Sequence, residues 1–146
     1  DGLPPAITTD IICGFPTETE DDFEQTIDVA SEVGYLHMHI FPYSVRTGTA
    51  AARWKQLPSK VVQERVQVLL QLDKELSLAY RTRLKGHTVH VMIEQPAELE
   101  SQMKGRCEHY VEISLPTQAR TGSIVEAKVT QVKAGKTVAI PTLQIL

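Results

Sequence analysis

The apolar positions of this chain change period along its length. Ile11, Ile12 and Cys13 form a short unbroken apolar run, which suits a strand covered on both faces and predicts one at about Ile7–Cys13. Gly14-Phe15-Pro16 ends it. From about Glu20 to Val33 the period becomes helical. Phe23, Ile27 and Ala30 make one stripe, Thr26, Val29 and Val33 the adjoining one, and Gly34 is a natural stop. Thr17 or Thr19 supplies the N-cap. Thr17-x-x-Glu20 has capping-box spacing, and Glu18, Glu20, Asp21 and Asp22 complement the positive end of the helix dipole. Tyr35 to Tyr43 then alternates, with Leu36, Met38 and Ile40 against His37, His39 and Phe41. Strand, helix and strand with a right-handed crossover make a βαβ unit of a parallel sheet.

Ser44 to Arg53 is a loop at the carboxyl end of the second strand, on the same rim as the Gly14–Thr17 turn. A long helix is predicted over Ser59–Leu84, between Pro58 and Gly86. Val62, Val66, Leu69, Leu72 or Asp73, Leu76 and Tyr80 mark its apolar face. Lys60, Arg65, Lys74, Arg81, Arg83 and Lys85 are assigned to the exposed one. From His87 the period is two. His87–Glu94, Cys107–Leu115, Ser123–Val132 and Thr137–Ile140 read as strands, separated by turn signals at Pro96, Lys104-Gly105, Thr121-Gly122 and Gly135. That is the pattern of a small barrel or sandwich. The fold class is therefore α/β followed by all-β: residues 1–57, a connecting helix over 58–85, and a β module over 86–146. A lone βαβ unit cannot cover both faces of a parallel sheet, so residues 1–57 read as the end of a larger α/β domain. The open edge of Ile7–Cys13 predicts oligomerisation through that strand.

Composition narrows the class. Hydrophobic residues make up 42% and charged residues 23% of the 146, which is globular. No apolar run reaches the roughly 18 residues of a membrane span. Asp1-Gly2-Leu3-Pro4-Pro5 has neither the basic flank nor the apolar core of a signal peptide, and the prolines favour an extended start. With Cys13 and Cys107 on separate strands, the reading is a cytoplasmic protein with two buried thiols. The net charge of −3 is uneven: −7 over residues 1–53, +4 over 54–86 and zero beyond. The basic middle suits phosphate or an acidic neighbour, though a solvated charged face is the commoner explanation for such a run. His37 and His39 share a strand face but lack a third ligand, so they read as satisfied strand residues. Trp54 reads as a packing plug.

Thr9-Asp10-Ile11-Ile12-Cys13-Gly14-Phe15-Pro16-Thr17-Glu18-Thr19-Glu20-Asp21-Asp22-Phe23 resembles the TDIIxGFPxETEEDF stretch of radical S-adenosylmethionine methylthiotransferases. His39-Ile40-Phe41-Pro42-Tyr43-Ser44-Val45-Arg46-Thr47-Gly48-Thr49-Ala50-Ala51 resembles their HxFPYSxRxGTxAA stretch, in the family's order and spacing. Thr17 replaces a usual glycine and Ala50 a common proline. Residues 86–146 look like the TRAM domain that ends these proteins, resting on strand pattern, Gly105-Arg106 and Gly122.

The resemblance implies the end of a partial (β/α) radical SAM barrel, a long helix and a small antiparallel TRAM β-barrel. It implies a parent enzyme with two 4Fe–4S clusters that cleaves S-adenosylmethionine and inserts a methylthio group into a C–H bond. The HIFPYS wording points to threonylcarbamoyladenosine beside the tRNA anticodon. Arg46 argues against the branch that modifies a ribosomal protein, where an acid is usual. With two cysteines the chain lacks the C-x3-C-x2-C ligands, so by itself it is expected to be inactive. By the same resemblance, Asp10, Gly14, Phe15, Pro16 and Glu18 would lie beside the adenosyl moiety. Gly14 is also an ordinary turn glycine and Asp10 an ordinary polar strand residue. Arg46, Arg81, Arg83, Lys104, Arg106 and Tyr110 are the candidates for contact with a tRNA anticodon stem-loop, with Arg120, Lys128, Lys133 and Lys136 available for phosphates. Glu98, Glu100, Glu108, Glu112 and Glu126 offset them. A self-standing RNA- or protein-binding module on a βαβ scaffold is the alternative.

Overall fold

A computed structural model describes residues 2–97 and 102–143. Two compact units emerge, Ile7–Ser77 and Asp1–Ala6 together with Leu78–Leu146. The division falls inside the long helix.

In the first unit, β1 (Thr8–Cys13) pairs in parallel with β2 (His37–Pro42), and α1 (Glu20–Val33) crosses between them. The bounds of α1 are those predicted. Its cap is Thr19, whose Oγ1 accepts from the Asp22 amide while the Asp22 carboxylate accepts from the Thr19 amide. The Thr17–Glu20 box therefore does not form. Asp22 closes the ring one residue-pair later, and its carboxyl is held below the usual range by the Thr19 backbone and side-chain bonds. Gly34 ends the helix in the left-handed region at φ 68°.

The expectation of a strand covered on both faces fails. Cys13, Phe23 and Leu69 form a core with Ile11, Ile27, Ile40 and Val66 on one side of the sheet. The other side presents Ile12, 62% exposed, and Phe41, 51% exposed, which are register partners. Two strands with two helices on one face cover only that face. After β2 comes a loop with a short 3-10 turn at Ala51–Arg53, then α2 (Ser59–Arg83).

The second unit is a closed barrel of β3 (Thr88–Pro96), β4 (Gln102–Cys107), β5 (Glu112–Pro116), β6 (Ile124–Lys133) and β7 (Lys136–Leu143), in the order β3-β4-β5-β7-β6. Alternation sends Val89, Val91, Ile93, Ile113, Leu115, Val125 and Val129 inward, each essentially fully buried. Two expectations are corrected. The run Cys107–Leu115 is two strands, because Tyr110 takes φ 59° and turns the chain. A tyrosine in that conformation gives no turn signal. The barrel is also not wholly antiparallel, since β5 and β7 run parallel where it closes, meeting at Ser114 and Val138.

Lys104-Gly105 is not a turn either. Gly105 lies inside β4, opposite Ile93 and beside a register shift in β3. A Cβ built there would stand 2.2 Å from the carbonyl oxygen of Met92. The glycine is needed for close approach of two backbones, as at a tight barrel bend. Gly105→Ala should therefore cost about 3 kcal/mol, the upper end for overpacking. Gly135→Ala, at φ 69° with open space around it, should cost only about 1 kcal/mol. Native-state hydrogen exchange of the β3 and β4 amides measures both; equal loss of protection would refute the close-approach account.

Candidate functional site

In the first unit the rim is built by the turn between β1 and α1. Gly14 sits at φ 81° and its amide donates to Glu18 Oε2 at 3.0 Å, while the Glu18 amide donates to the Phe15 carbonyl at 2.8 Å. A Cβ at Gly14 would lie 2.7 Å from Val62 Cγ2, so α2 occupies the space that the glycine opens. Arg65, only 6% exposed, lies over the Phe23 ring at 5.1 Å. It donates to the Glu18 carbonyl at 3.2 Å, to the Glu18 carboxylate, and to Glu20 Oε2 at 2.9 Å. Burial opposes its charge, but the bonds to Glu20 and Glu18 outweigh that and keep it above the ordinary arginine range.

This network corrects two readings. Arg65 is not on an exposed helix face. Glu18 accepts from both the Gly14 amide and Arg65, so its carboxylate serves the rim's own structure. The signal for Arg65 was in the sequence, since it stands three residues after Val62 and four before Leu69, on the apolar stripe. Asp10 is exposed on the open sheet face, in register with His39. Phe15 is 37% exposed and meets Tyr43 and Trp54 edge to face, at 5.2 and 5.9 Å between ring centres. Pro16 is half-buried. The Tyr43 hydroxyl is buried without a hydrogen-bond partner. Trp54, 46% exposed, is a partial plug. Arg46 is exposed, and its carbonyl closes the loop by accepting from the Thr49 amide and hydroxyl at 3.2 and 2.8 Å.

His37 and His39 are exposed, with their rings 4.5 Å apart, and His37 Nδ1 lies 3.1 Å from Asp73. Asp73 also accepts from the Met38 amide at 2.6 Å, which ties β2 to α2. Among the described residues, no three His, Cys, Asp or Glu side chains gather to hold a metal ion.

In the barrel unit, Arg81 is likewise buried. Its Nη1 donates to the Lys133 carbonyl at 2.8 Å and to Thr137 Oγ1 at 3.3 Å, and burial pushes its pKa down. It fastens the β6–β7 turn and is withdrawn as an RNA contact. Arg83 is exposed. Tyr110 is 73% exposed at the β4–β5 turn. Lys104 and Arg106 both face outward on β4; Lys104 pairs with Glu112 at 3.5 Å and Arg106 stands 3.9 Å from Glu94. Arg120, Lys128, Lys133 and Lys136 are exposed. Glu108 is engaged by His90, whose amide donates to it at 2.9 Å. Glu98 and Glu100 lie outside the described residues. One polar side chain escaped sequence reasoning: Gln102 Oε1, buried without a partner. Nothing in its local pattern marks it.

Both thiols are buried. Burial, then Glu18, push Cys13 up to about 11, against a smaller opposing pull from Arg65. Burial also raises Cys107. At pH 8 the Cys13 thiolate is then about one part in a thousand, and alkylation requires local opening. Arg65→Met leaves the Glu18 carboxylate buried and unpaired, which should destabilise this unit by about 3–5 kcal/mol. Iodoacetamide labelling of Cys13, followed by peptide mapping, should accelerate at least 100-fold in the variant. Unchanged labelling would show that Arg65 does not hold the rim.

The comparisons bear on what this arrangement belongs to. No family model matches the chain. It is 42% identical over 135 residues to a tRNA-2-methylthio-N(6)-dimethylallyladenosine synthase of Salinispora arenicola, covering 86% of this chain and 27% of that protein. Proteins of the same name from Desulfitobacterium hafniense and Chloroflexus aurantiacus are 38% and 37% identical over 83% and 94% of this chain, and 28% and 30% of their own lengths. A solved structure of a conserved Methanococcus maripaludis protein overlaps 40% of this chain and 80% of its own at 27% identity, with a TM-score of 0.35, too low to bear on the fold. The chain thus spans less than a third of the length of these synthases. It is similar to a little over a quarter of each of them.

Proposed function

We propose that this chain is part of a tRNA methylthiotransferase and that its barrel grips the RNA. The observation that carries the reading is about 40% identity, over more than four-fifths of the chain, to proteins named for methylthiolating a tRNA adenosine. Those relatives carry the dimethylallyl name. We therefore take dimethylallyl-modified adenosine as the substrate, in place of the threonylcarbamoyladenosine suggested by the HIFPYS wording. The soluble reading, cytoplasmic with its tRNA, is supported by the lack among the described residues of any helix long and apolar enough to cross a membrane.

An iron–sulfur cluster does not fit these residues. The chain has two cysteines, they lie in different units, and burial raises the pKa of both thiols. A cluster needs several closely placed thiolates. Any cluster would be held by other residues of the parent enzyme, and the chain alone would be inactive. S-adenosylmethionine would meet Asp10, Phe15 and Pro16, the members of the rim set that remain at the surface, while Gly14, Glu18 and Arg65 keep the rim in shape. The bare side of β1–β2, with Ile12 and Phe41, is where further strands and their side chains would pack. In their absence the open edge of β1 would pair with a second copy.

The role left for the barrel is electrostatic. Arg83, Lys104, Arg106 and Tyr110 are the contacts to test. The chain should bind a tRNA anticodon stem-loop with submicromolar affinity at low salt and lose affinity steeply as salt rises. Arg83→Ala and Arg106→Ala should each weaken binding and flatten the log–log salt slope by about one. Fluorescence anisotropy across a salt series reads this. Absence of binding at low salt would overturn the RNA-gripping role.

A further inference from the structure

Residues 2–6, ahead of β1, belong to the barrel unit, as do the end of α2 and the turn between β4 and β5. Tyr80 on α2 meets both. It is only 4% exposed. Its hydroxyl donates to the Pro4 carbonyl at 2.9 Å and stands 3.2 Å from His109 Nδ1. The Tyr80 and His109 rings are tilted, with centres 6.4 Å apart. Burial, then Cys107, hold the Tyr80 pKa above its ordinary value against a pull from Arg83, so the hydroxyl keeps its proton.

A hydroxyl has one proton to give. Here it goes to Pro4, whose carbonyl can only accept. The contact with His109 is then attractive only if the imidazole donates into a lone pair of the hydroxyl. With the ring proton on Nε2 instead, two lone pairs would face each other at 3.2 Å beside a buried side chain. Polar groups left so are costly away from water. The network therefore decides the tautomer.

The turn that carries His109 needs an anchor. The Cys107 amide closes it by donating to the Val111 carbonyl at 3.1 Å, and the Tyr110 amide donates to the Cys107 carbonyl at 2.9 Å. Within it Tyr110 sits at φ 59°, a left-handed conformation that a residue with a side chain keeps only when its surroundings hold it there. The His109 side chain, one residue away, is the part of this turn that reaches α2.

We infer that Tyr80 and His109 form a latch. His109 carries its proton on Nδ1 and donates to the Tyr80 hydroxyl, which in turn donates to Pro4. This chain of two hydrogen bonds straps residues 2–6 to the barrel and holds the β4–β5 turn in its left-handed form. The latch has a direction, so its halves fail differently. Without the Tyr80 hydroxyl both the strap and the turn are released. Without the His109 ring only the turn is released, since Tyr80 still reaches Pro4. The latch goes beyond the RNA reading and holds whatever the barrel binds. Tyr110, the exposed ring that the turn presents, is where the two meet.

The test is solution NMR on the whole 146-residue chain. At about pH 9, above the ordinary histidine range, His109 should show a pyrrole-like nitrogen shift at Nδ1 and a pyridine-like one at Nε2. The backbone order parameters of Leu3, Ala6 and Tyr110 should be those of ordered chain, about 0.85. Tyr80→Phe keeps the ring and removes the hydroxyl. All three values should then fall below about 0.6, while β3 and β6 keep theirs. In His109→Ala only Tyr110 should fall. The opposite tautomer would overturn the latch, and so would Leu3 and Ala6 staying as ordered in Tyr80→Phe as before. Loss of order at Leu3 and Ala6 in His109→Ala would overturn its direction. The tautomer is read on the unaltered chain, so it decides the matter even if Tyr80→Phe does not fold.

Discussion

The first unit depends on one buried cation. Arg65 enters the space between α2 and the turn after β1, where a lone charge would be untenable. It is made tolerable by the Glu18 and Glu20 carboxylates, the Glu18 carbonyl and the face of Phe23. The same contacts decide the shape of the rim. Glu18 is drawn back toward Arg65, its second oxygen takes the Gly14 amide, and Gly14 can accept that geometry because it has no side chain to meet Val62. A buried pair of this kind contributes little net stability compared with apolar packing, but it is unforgiving of rearrangement. It therefore fixes one turn conformation.

Arg81 meets the same difficulty differently. Its partners include neutral carbonyls and a hydroxyl, and burial lowers its pKa where that of Arg65 is raised. The two arginines lie on one helix and were both taken for solvated cations. Charge alone misleads here because a guanidinium's planar fork can satisfy several acceptors at once and so survive burial where an ammonium would not.

What the sequence made legible was whatever is local. The bounds of α1 follow from its stripe, its acidic first turn and Gly34. The inward residues of β3 and β6 follow from alternation. The split of Cys107–Leu115 was hidden because its turn is made by Tyr110 in a conformation that tyrosine seldom adopts, and the strand β4 was hidden because its glycine looked like a turn. Gly105 serves contact with another strand, and such contacts are not written in the neighbouring residues. The bare face of Ile12 and Phe41 is the same lesson reversed. An apolar run states that a surface wants cover, but does not say that the cover lies within these residues.

Net charge posed a similar trap for the barrel. Residues 87–146 sum to zero, and a nucleic-acid surface is usually strongly basic. The sum ignores placement. Screening confines an exposed charge to about 8 Å in physiological salt, so a bound partner feels the nearby charges rather than the total. Glu108 is occupied by His90 and Glu126 by Thr142. On β4 and β5 the Glu112 carboxylate pairs with Lys104, while Lys128, Lys133 and Lys136 stand exposed on β6 and β7. What such a surface offers a partner is set by the few charges within that distance of one another, not by their sum.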